Sequence, residues 1–243
     1  MMIPKILHYC WFGGNAYPKR EQKCINSWHK HLDGFDWKLW DESNFDIHCN
    51  DYVKEAYEAK KYMYVSDYCR LQALYDEGGL YLDTDCLVKK DFSPLMREKA
   101  FTGYGGDNRE LAAHALAFPP GHPFIKECLD SYVGTHFKNE DGSLNLYTVN
   151  MRMTDLLEKH GFVPNGQQQT VCDIIVYPMS YFCPLSMLPD TVKDCKSRKY
   201  TYCIHVWSSK SLKRERSFIV RFAHKTRLNL LKRKIVGAFS NAD

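Results

Sequence analysis

No stretch of this 243-residue chain approaches the roughly 20 consecutive apolar residues that a membrane-spanning helix needs. Its start lacks the charged and apolar segments of a secretory leader and runs straight into a β-prone stretch, so a cytoplasmic location is expected. Internal repeats, low-complexity runs and linkers rich in Pro, Gly or Ser are also missing, which leaves no support for a solenoid or for two folded domains. The ten cysteines include no C-x-x-C pair, and several fall inside expected strands or helices. They read as small buried hydrophobes of a reducing compartment, neither a disulfide framework nor a zinc site. His48, His122, His136, His160 and His224 show no metal-ligand spacing and receive no role. No nucleic-acid-binding motif is present.

What is there suits one well-filled domain: 44% of residues are hydrophobic and 14% aromatic. Patterning predicts strands at residues 3–9, 37–40, 80–82 and 111–118, and helices at 52–61, 65–77, 124–132 and 151–160. Their alternation points to a single α/β sheet. Charge is uneven. Residues 210–234 hold ten Lys or Arg against one acid, Glu215, so the rest of a chain of net charge +4 sits at about −5. Large apolar residues interleave with those cations, as in an amphipathic helix. Such a tail could lie on an anionic membrane surface or pack on its own domain.

The most informative segment is residues 66–85. Apolar residues at 65, 68, 71, 74 and 75 make a helical stripe, with Ser66 as a candidate cap. Gly78 and Gly79 supply the backbone freedom that ends a helix and reverses the chain. Leu80-Tyr81-Leu82 is a continuous apolar run, the pattern of a buried parallel strand, and places Asp83 and Asp85 at its carboxyl end. Two aspartates at i and i+2 on extended chain point the same way, so their oxygens can converge on a cation. Hard oxygen ligands suit magnesium or manganese better than zinc. Asp67 and Arg70, three apart, share a helix face that the glycine turn can bring beside the strand. Alone, they would more readily read as a surface ion pair. Trp11, Phe12, Gly13 and Gly14 follow the first strand as a loop in which an indole could stack on a ligand or pack in the core.

Ser66-Asp67-x-x-Arg70, Gly78-Gly79 and Tyr81-Leu82-Asp83-Thr84-Asp85 together resemble the sugar-binding region with a DXD motif of glycosyltransferase family 32. The large clostridial glucosylating toxins carry a similar core. The likeness extends to residues 3–14 and to Ile204-His205-Val206-Trp207-Ser208-Ser209, so it spans about 200 residues. It implies a GT-A (Rossmann-like) α/β fold over residues 1–209, with 210–243 as a basic C-terminal helical tail. It further implies a nucleotide-sugar donor of the UDP-sugar class, a Mn2+ or Mg2+ ion, and transfer of a hexosyl group with retention.

By the same resemblance, Trp11 matches the aromatic that stacks on the donor base, and Ser66 and Ser208 belong to the donor-binding blocks. Asp67 and Arg70 match the pair that holds the sugar hydroxyls. Tyr81 and Asp83 match groups near sugar and ribose, and Asp83, Asp85 and His205 match the metal site. Where the family's late element closes with Ser-Trp, Ser209 is here followed by Lys210, and Trp207 is the available indole. A glycan or lipid-linked glycan acceptor in surface or capsular polysaccharide synthesis is the expected partner. The competing class is a non-catalytic nucleotide-sugar-binding partner of another transferase.

Overall fold

A computed structural model describes residues 2–97, 99–105, 109–183 and 198–206. Ser208 and the basic stretch 210–243 lie outside the described residues.

Strand β1 (Ile6–Cys10) leads to helix α1 (Lys19–His31), strand β2 (Asp36–Trp40) and helices α2 (Asp51–Glu58) and α3 (Tyr62–Asp76). Strands β3 (Gly79–Leu82) and β4 (Cys86–Val88), the short helix α4 (Ser93–Met96) and strands β5 (Ala100–Gly103) and β6 (Ala115–Phe118) follow. Helices α5 (Pro123–Asp130) and α6 (Val149–Lys159), strands β7 (Gln169–Val171) and β8 (Ile174–Tyr177), and β9 (Cys203–His205) complete the described order.

The main sheet has the order β2-β1-β3-β6-β5-β8-β7, and β4 and β9 form a separate antiparallel ribbon. The expected single sheet is therefore two. β1 runs parallel to both β2 and β3, with Leu7 opposite Leu80, whereas β3 pairs antiparallel with β6, Leu82 opposite Ala115. The continuous apolar run of β3 correctly signals burial on both faces but says nothing of direction, and the strand is parallel on one side only. The expected strand at 111–118 shortens to β6 because Leu111 makes only an isolated bridge to Tyr104.

Helix α1 buries Cys24, Ile25 and Trp28 on one stripe, and the Trp28 indole donates to the Cys86 carbonyl at 2.7 Å, fastening α1 to the ribbon. Phe92, Phe101 and Phe182 lie nearly parallel, 5.6–6.2 Å apart between centroids, under the sheet. Each such aromatic pair adds about 0.5–1.5 kcal/mol beyond area burial. The turn Gly78-Gly79 requires glycine: φ is +64° and +118°, and a Cβ on Gly79 would stand 2.6 Å from the Ile6 carbonyl oxygen. The buried imidazole of His8 closes the same turn, its Nε2 2.7 Å from the Gly78 carbonyl and its Nδ1 taking the Trp40 indole N–H at 3.1 Å. Burial keeps this ring neutral by lowering its pKa.

Among the described residues no helix is long and apolar enough to cross a membrane. Nine cysteines among the described residues are free thiols, all buried except Cys49 and Cys172.

Candidate active site

Because β1 and β3 are parallel neighbours, the loop after Cys10 and the segment after Leu82 emerge at the same sheet edge. The antiparallel β6 brings its preceding residue, His114, to that edge too, where its carbonyl accepts from the Asp83 amide at 3.1 Å. The β4–β9 ribbon sets Cys86 opposite His205, and the Val206 amide donates to the Asp85 carbonyl at 2.9 Å. Topology thus gathers Trp11, Asp83, Asp85 and His205 from segments nearly 200 residues apart.

Helix α3 is buried on more than one face, and its polar pair Asp67 and Arg70 is buried with it, each 3% exposed. This is no surface ion pair. Arg70 Nη2 reaches Asp67 Oδ1 at 3.0 Å, and Nη1 reaches Asp83 Oδ1 at 3.2 Å and the Ala113 carbonyl at 2.8 Å. Arg70 Nε donates to the Ser66 carbonyl at 3.2 Å, and the guanidinium lies 4.6 Å from the centroid of the Tyr81 ring. The Tyr81 hydroxyl donates to Asp83 Oδ1 at 2.9 Å. Asp67 Oδ2 accepts from the Val149 amide at the start of α6, at 3.2 Å. Arg70 therefore divides its donors between two carboxylates and two backbone carbonyls, which fixes the carboxylates to α3 and to the segment before β6.

The pair divides its electrostatics unevenly. Burial works against the Arg70 charge, but Asp83, Tyr81 and Asp67 outweigh it and hold the guanidinium firmly protonated. Burial pushes Asp67 up to about 6, against the opposing pull of Arg70 and the Val149 amide.

Asp85 faces the other way. Its Oδ1 meets His205 Nε2 at 2.9 Å and its Oδ2 lies 3.7 Å from Arg20 Nη2. Burial raises the Asp85 pKa, yet the His205 charge and hydrogen bond, with Arg20, bring it below the ordinary aspartate value. Burial disfavours charge on His205, but Asp85 overrides this and lifts the imidazole well above its usual range. His114 stacks on His205 at 4.3 Å between centroids and 18° between planes. It is kept neutral by burial and by the neighbouring His205 charge.

Donor atoms of Asp83, Asp85 and His205 all lie within 4.8 Å of one another. Two carboxylates and one imidazole, with solvent access on the carboxylate side, fit a hard divalent cation completed by ligand oxygens. Two deeper groups, Cys86-His114-Cys203 and His114-Cys183-His205, are equally close. Cys86 Sγ donates to the His114 carbonyl at 3.4 Å and Cys203 Sγ to the Phe182 carbonyl at 3.5 Å. Burial raises the Cys86 thiol pKa well above its ordinary value, which suits its role as a proton donor to the His114 carbonyl.

Trp11 sits half-buried in the loop after β1, its amide bonded to the Trp40 carbonyl and its indole N–H to the Asn15 carbonyl at 2.5 Å. The ring leans on Tyr17 at 4.7 Å, a partner that sequence reasoning passed over. Ser66 is not the helix cap. Helix α3 starts four residues earlier, at Tyr62, and the Ser66 hydroxyl donates to the Tyr62 carbonyl at 3.1 Å. Sequence patterning does not point to His114, Arg20, Val149 or Tyr17. Only Arg20 carried a local signal, a cation in the first turn of a helix behind Pro18.

A mixed sheet with an Asp-x-Asp pair at the carboxyl edge of its parallel part is the arrangement of the GT-A fold. Over residues 18–102 the chain matches the family described as glycosyltransferase sugar-binding region containing DXD motif. It is similar to inositol phosphoceramide mannosyltransferase 3 of Schizosaccharomyces pombe, 30% identical over 131 residues, 51% of this chain and 35% of that protein. It is also similar to lactosylceramide 4-alpha-galactosyltransferase of Mus musculus, 25% identical over 171 residues, 65% of this chain and 45% of that protein. The chain thus spans less than half the length of these relatives. Among solved structures, PaToxG glycosyltransferase superposes with a TM-score of 0.50 at 18% identity, covering 65% of this chain and 70% of that one. The apo form of GlyE from Streptococcus pneumoniae TIGR4 superposes at 0.52 and 11% identity, covering 86% and 56%.

Proposed function

We propose that this chain is a glycosyltransferase that moves a hexosyl unit from a nucleoside diphosphate sugar, of the UDP-sugar class, to a glycan acceptor. The observation that carries this reading is the convergence of Asp83, Asp85 and His205 within 4.8 Å, beside the buried Asp67–Arg70 pair. In this reading Asp83, Asp85 and His205 hold Mn2+ or Mg2+. The ion, when bound, neutralises charge developing on the nucleotide diphosphate leaving group.

The protein's own groups supply orientation. Asp67 keeps free lone pairs beside those given to Arg70 and Val149, and accepts hydrogen bonds from donor sugar hydroxyls. Arg70 acts mainly by fixing the Asp67 and Asp83 carboxylates, and Tyr81 braces Asp83 from beneath. Trp11, backed by Tyr17, offers an indole face to the donor base. Positioning of this kind presents the anomeric carbon to the acceptor. Retention of configuration follows from the family resemblance.

A lipid-linked glycan is the acceptor class we favour, because both relatives are named for lipid acceptors, inositol phosphoceramide and lactosylceramide, with surface polysaccharide synthesis as the setting. The basic stretch 210–234 would bring the enzyme to an anionic membrane surface on the cytoplasmic side, residues 1–209 forming the catalytic unit. The test is release of nucleotide from a panel of UDP- and GDP-sugars with and without Mn2+. Metal-dependent release from one donor supports the reading, and tight UDP binding without any turnover would favour a nucleotide-sugar-binding partner instead.

A further inference from the structure

The Asp-x-Asp carboxylates have a cationic neighbour far from them in sequence. Arg20, the second residue of α1, turns its guanidinium toward Asp85, with Nη2 3.7 Å from Oδ2. At that distance the contact is Coulombic and not a hydrogen bond. A second carboxylate keeps Arg20 there: Glu21, paired with the same Nη2, is only 5% exposed. A buried acid has reason to persist only beside a matching charge. Neither group is used up. Arg20 Nε and Glu21 Oε2 are both buried without a hydrogen-bond partner. The Arg20 side chain is 32% exposed, so the guanidinium is held from behind and open in front.

Among the described residues the ion pairs of Asp85 are with His205 on one oxygen and Arg20 on the other. A cation coordinated by Asp85 and the guanidinium of Arg20 therefore compete for one carboxylate and repel each other, unless an anion comes between them. A diphosphate is such an anion. Its oxygens can meet the ion on one side and a planar guanidinium on the other, and Arg is suited to that contact by its fork of donors.

We propose that Arg20 is a diphosphate-binding residue of the donor site, held by Glu21 and exchanging Asp85 for the phosphate oxygens of a nucleoside diphosphate. This rests on the reading of Asp83, Asp85 and His205 as a metal and nucleotide-sugar site. It assigns the phosphate end of the ligand to α1, an element that the sequence motifs leave without a role.

The proposal carries two effects of opposite sign, which a purely structural role cannot produce. The experiment measures binding to the full chain by titration, first of Mn2+ alone and then of UDP and uridine at saturating Mn2+, for wild type, Arg20→Gln and Arg20→Lys. Arg20→Gln should bind Mn2+ alone several-fold more tightly, because a repelling cation has gone. It should bind UDP on the order of 10- to 100-fold more weakly, from loss of a charge-assisted hydrogen bond. Uridine, which lacks phosphate, should bind unchanged, and Arg20→Lys should recover part of the UDP affinity. Wild-type affinity of Arg20→Gln for UDP would overturn the proposal. So would a parallel fall in Mn2+, uridine and UDP affinity together with a lower Tm, which would make Arg20 a support of the fold. If the wild-type chain itself binds neither Mn2+ nor UDP, the reading of the whole site fails, and this proposal with it.

Discussion

The ring of His114 lies parallel to that of His205, 4.3 Å away, while its own carbonyl holds the Asp83 amide at 3.1 Å. One residue thus braces both arms of the proposed metal site. Its ring limits the tilt of one ligand, and its backbone sets the height of another. Replacing the ring and keeping the backbone separates the two effects. His114→Ala should weaken Mn2+ binding by about 10-fold, the scale of a lost supporting contact. His114→Phe, which retains a flat ring, should recover most of it. Calorimetric titration with Mn2+ reads the difference, and equal loss in both variants would show that the imidazole nitrogen matters more than the stack.

Asp85 is the proposed ligand most exposed to competition, with His205 and Arg20 on its two oxygens. Asp85→Asn should lower sugar transfer by at least about 100-fold, the scale seen when a charge-stabilising group is removed. Circular dichroism should stay near wild type, because the Asp85 carbonyl keeps its bond to the Val206 amide and His205 can release its proton once the carboxylate charge is gone. EDTA should reproduce the loss, and added Mn2+ should reverse it. Full activity in EDTA would remove the metal from the mechanism.

Asp67 predicts a pH dependence. Burial raises its pKa from an ordinary 3.8 to about 6, so between those values the folded chain holds a proton that the unfolded chain has released. The favourable contribution is full below 3.8 and is lost as pH rises through about 6. Donor turnover, which uses the ionised carboxylate, should rise through the same window. Tm measured from pH 4.5 to 7.5 should therefore fall less steeply in Asp67→Asn than in wild type. The variant should still bind UDP with Mn2+ near wild-type affinity while losing turnover by about 100-fold or more. Identical Tm profiles would place the titrating group elsewhere.

The basic stretch yields a fourth expectation. A chain ending at Ser209 should remain folded and should no longer sediment with anionic vesicles, whereas the full chain should do so in a salt-sensitive manner. Aggregation of the shortened chain would mean that residues 210–243 complete the domain.

Much of this site was legible because its central part is local. Helix α3, the Gly78-Gly79 turn, β3 and the Asp-x-Asp pair follow one another within a single run. Each has a short-range cause: helical apolar spacing, a positive φ that only glycine tolerates here, and a run apolar on both faces. Even the trivial reading of Asp67 and Arg70 as a surface ion pair could not be dismissed from spacing alone. It took the burial of α3 on several faces to reject it.

By itself, the sequence determined the order and kind of the elements leading to Asp83 and Asp85, since periodicity and turn chemistry act over a few residues. The tertiary structure decided everything that depends on which strand lies beside which. The reversal of β6 delivers His114, the β4–β9 ribbon delivers His205, the start of α6 gives the Val149 amide to Asp67, and α1 aims Arg20 at Asp85. Such contacts join residues tens to more than a hundred positions apart. They arise because a buried carboxylate or imidazole must find its partner in space, and chain proximity carries no record of that requirement.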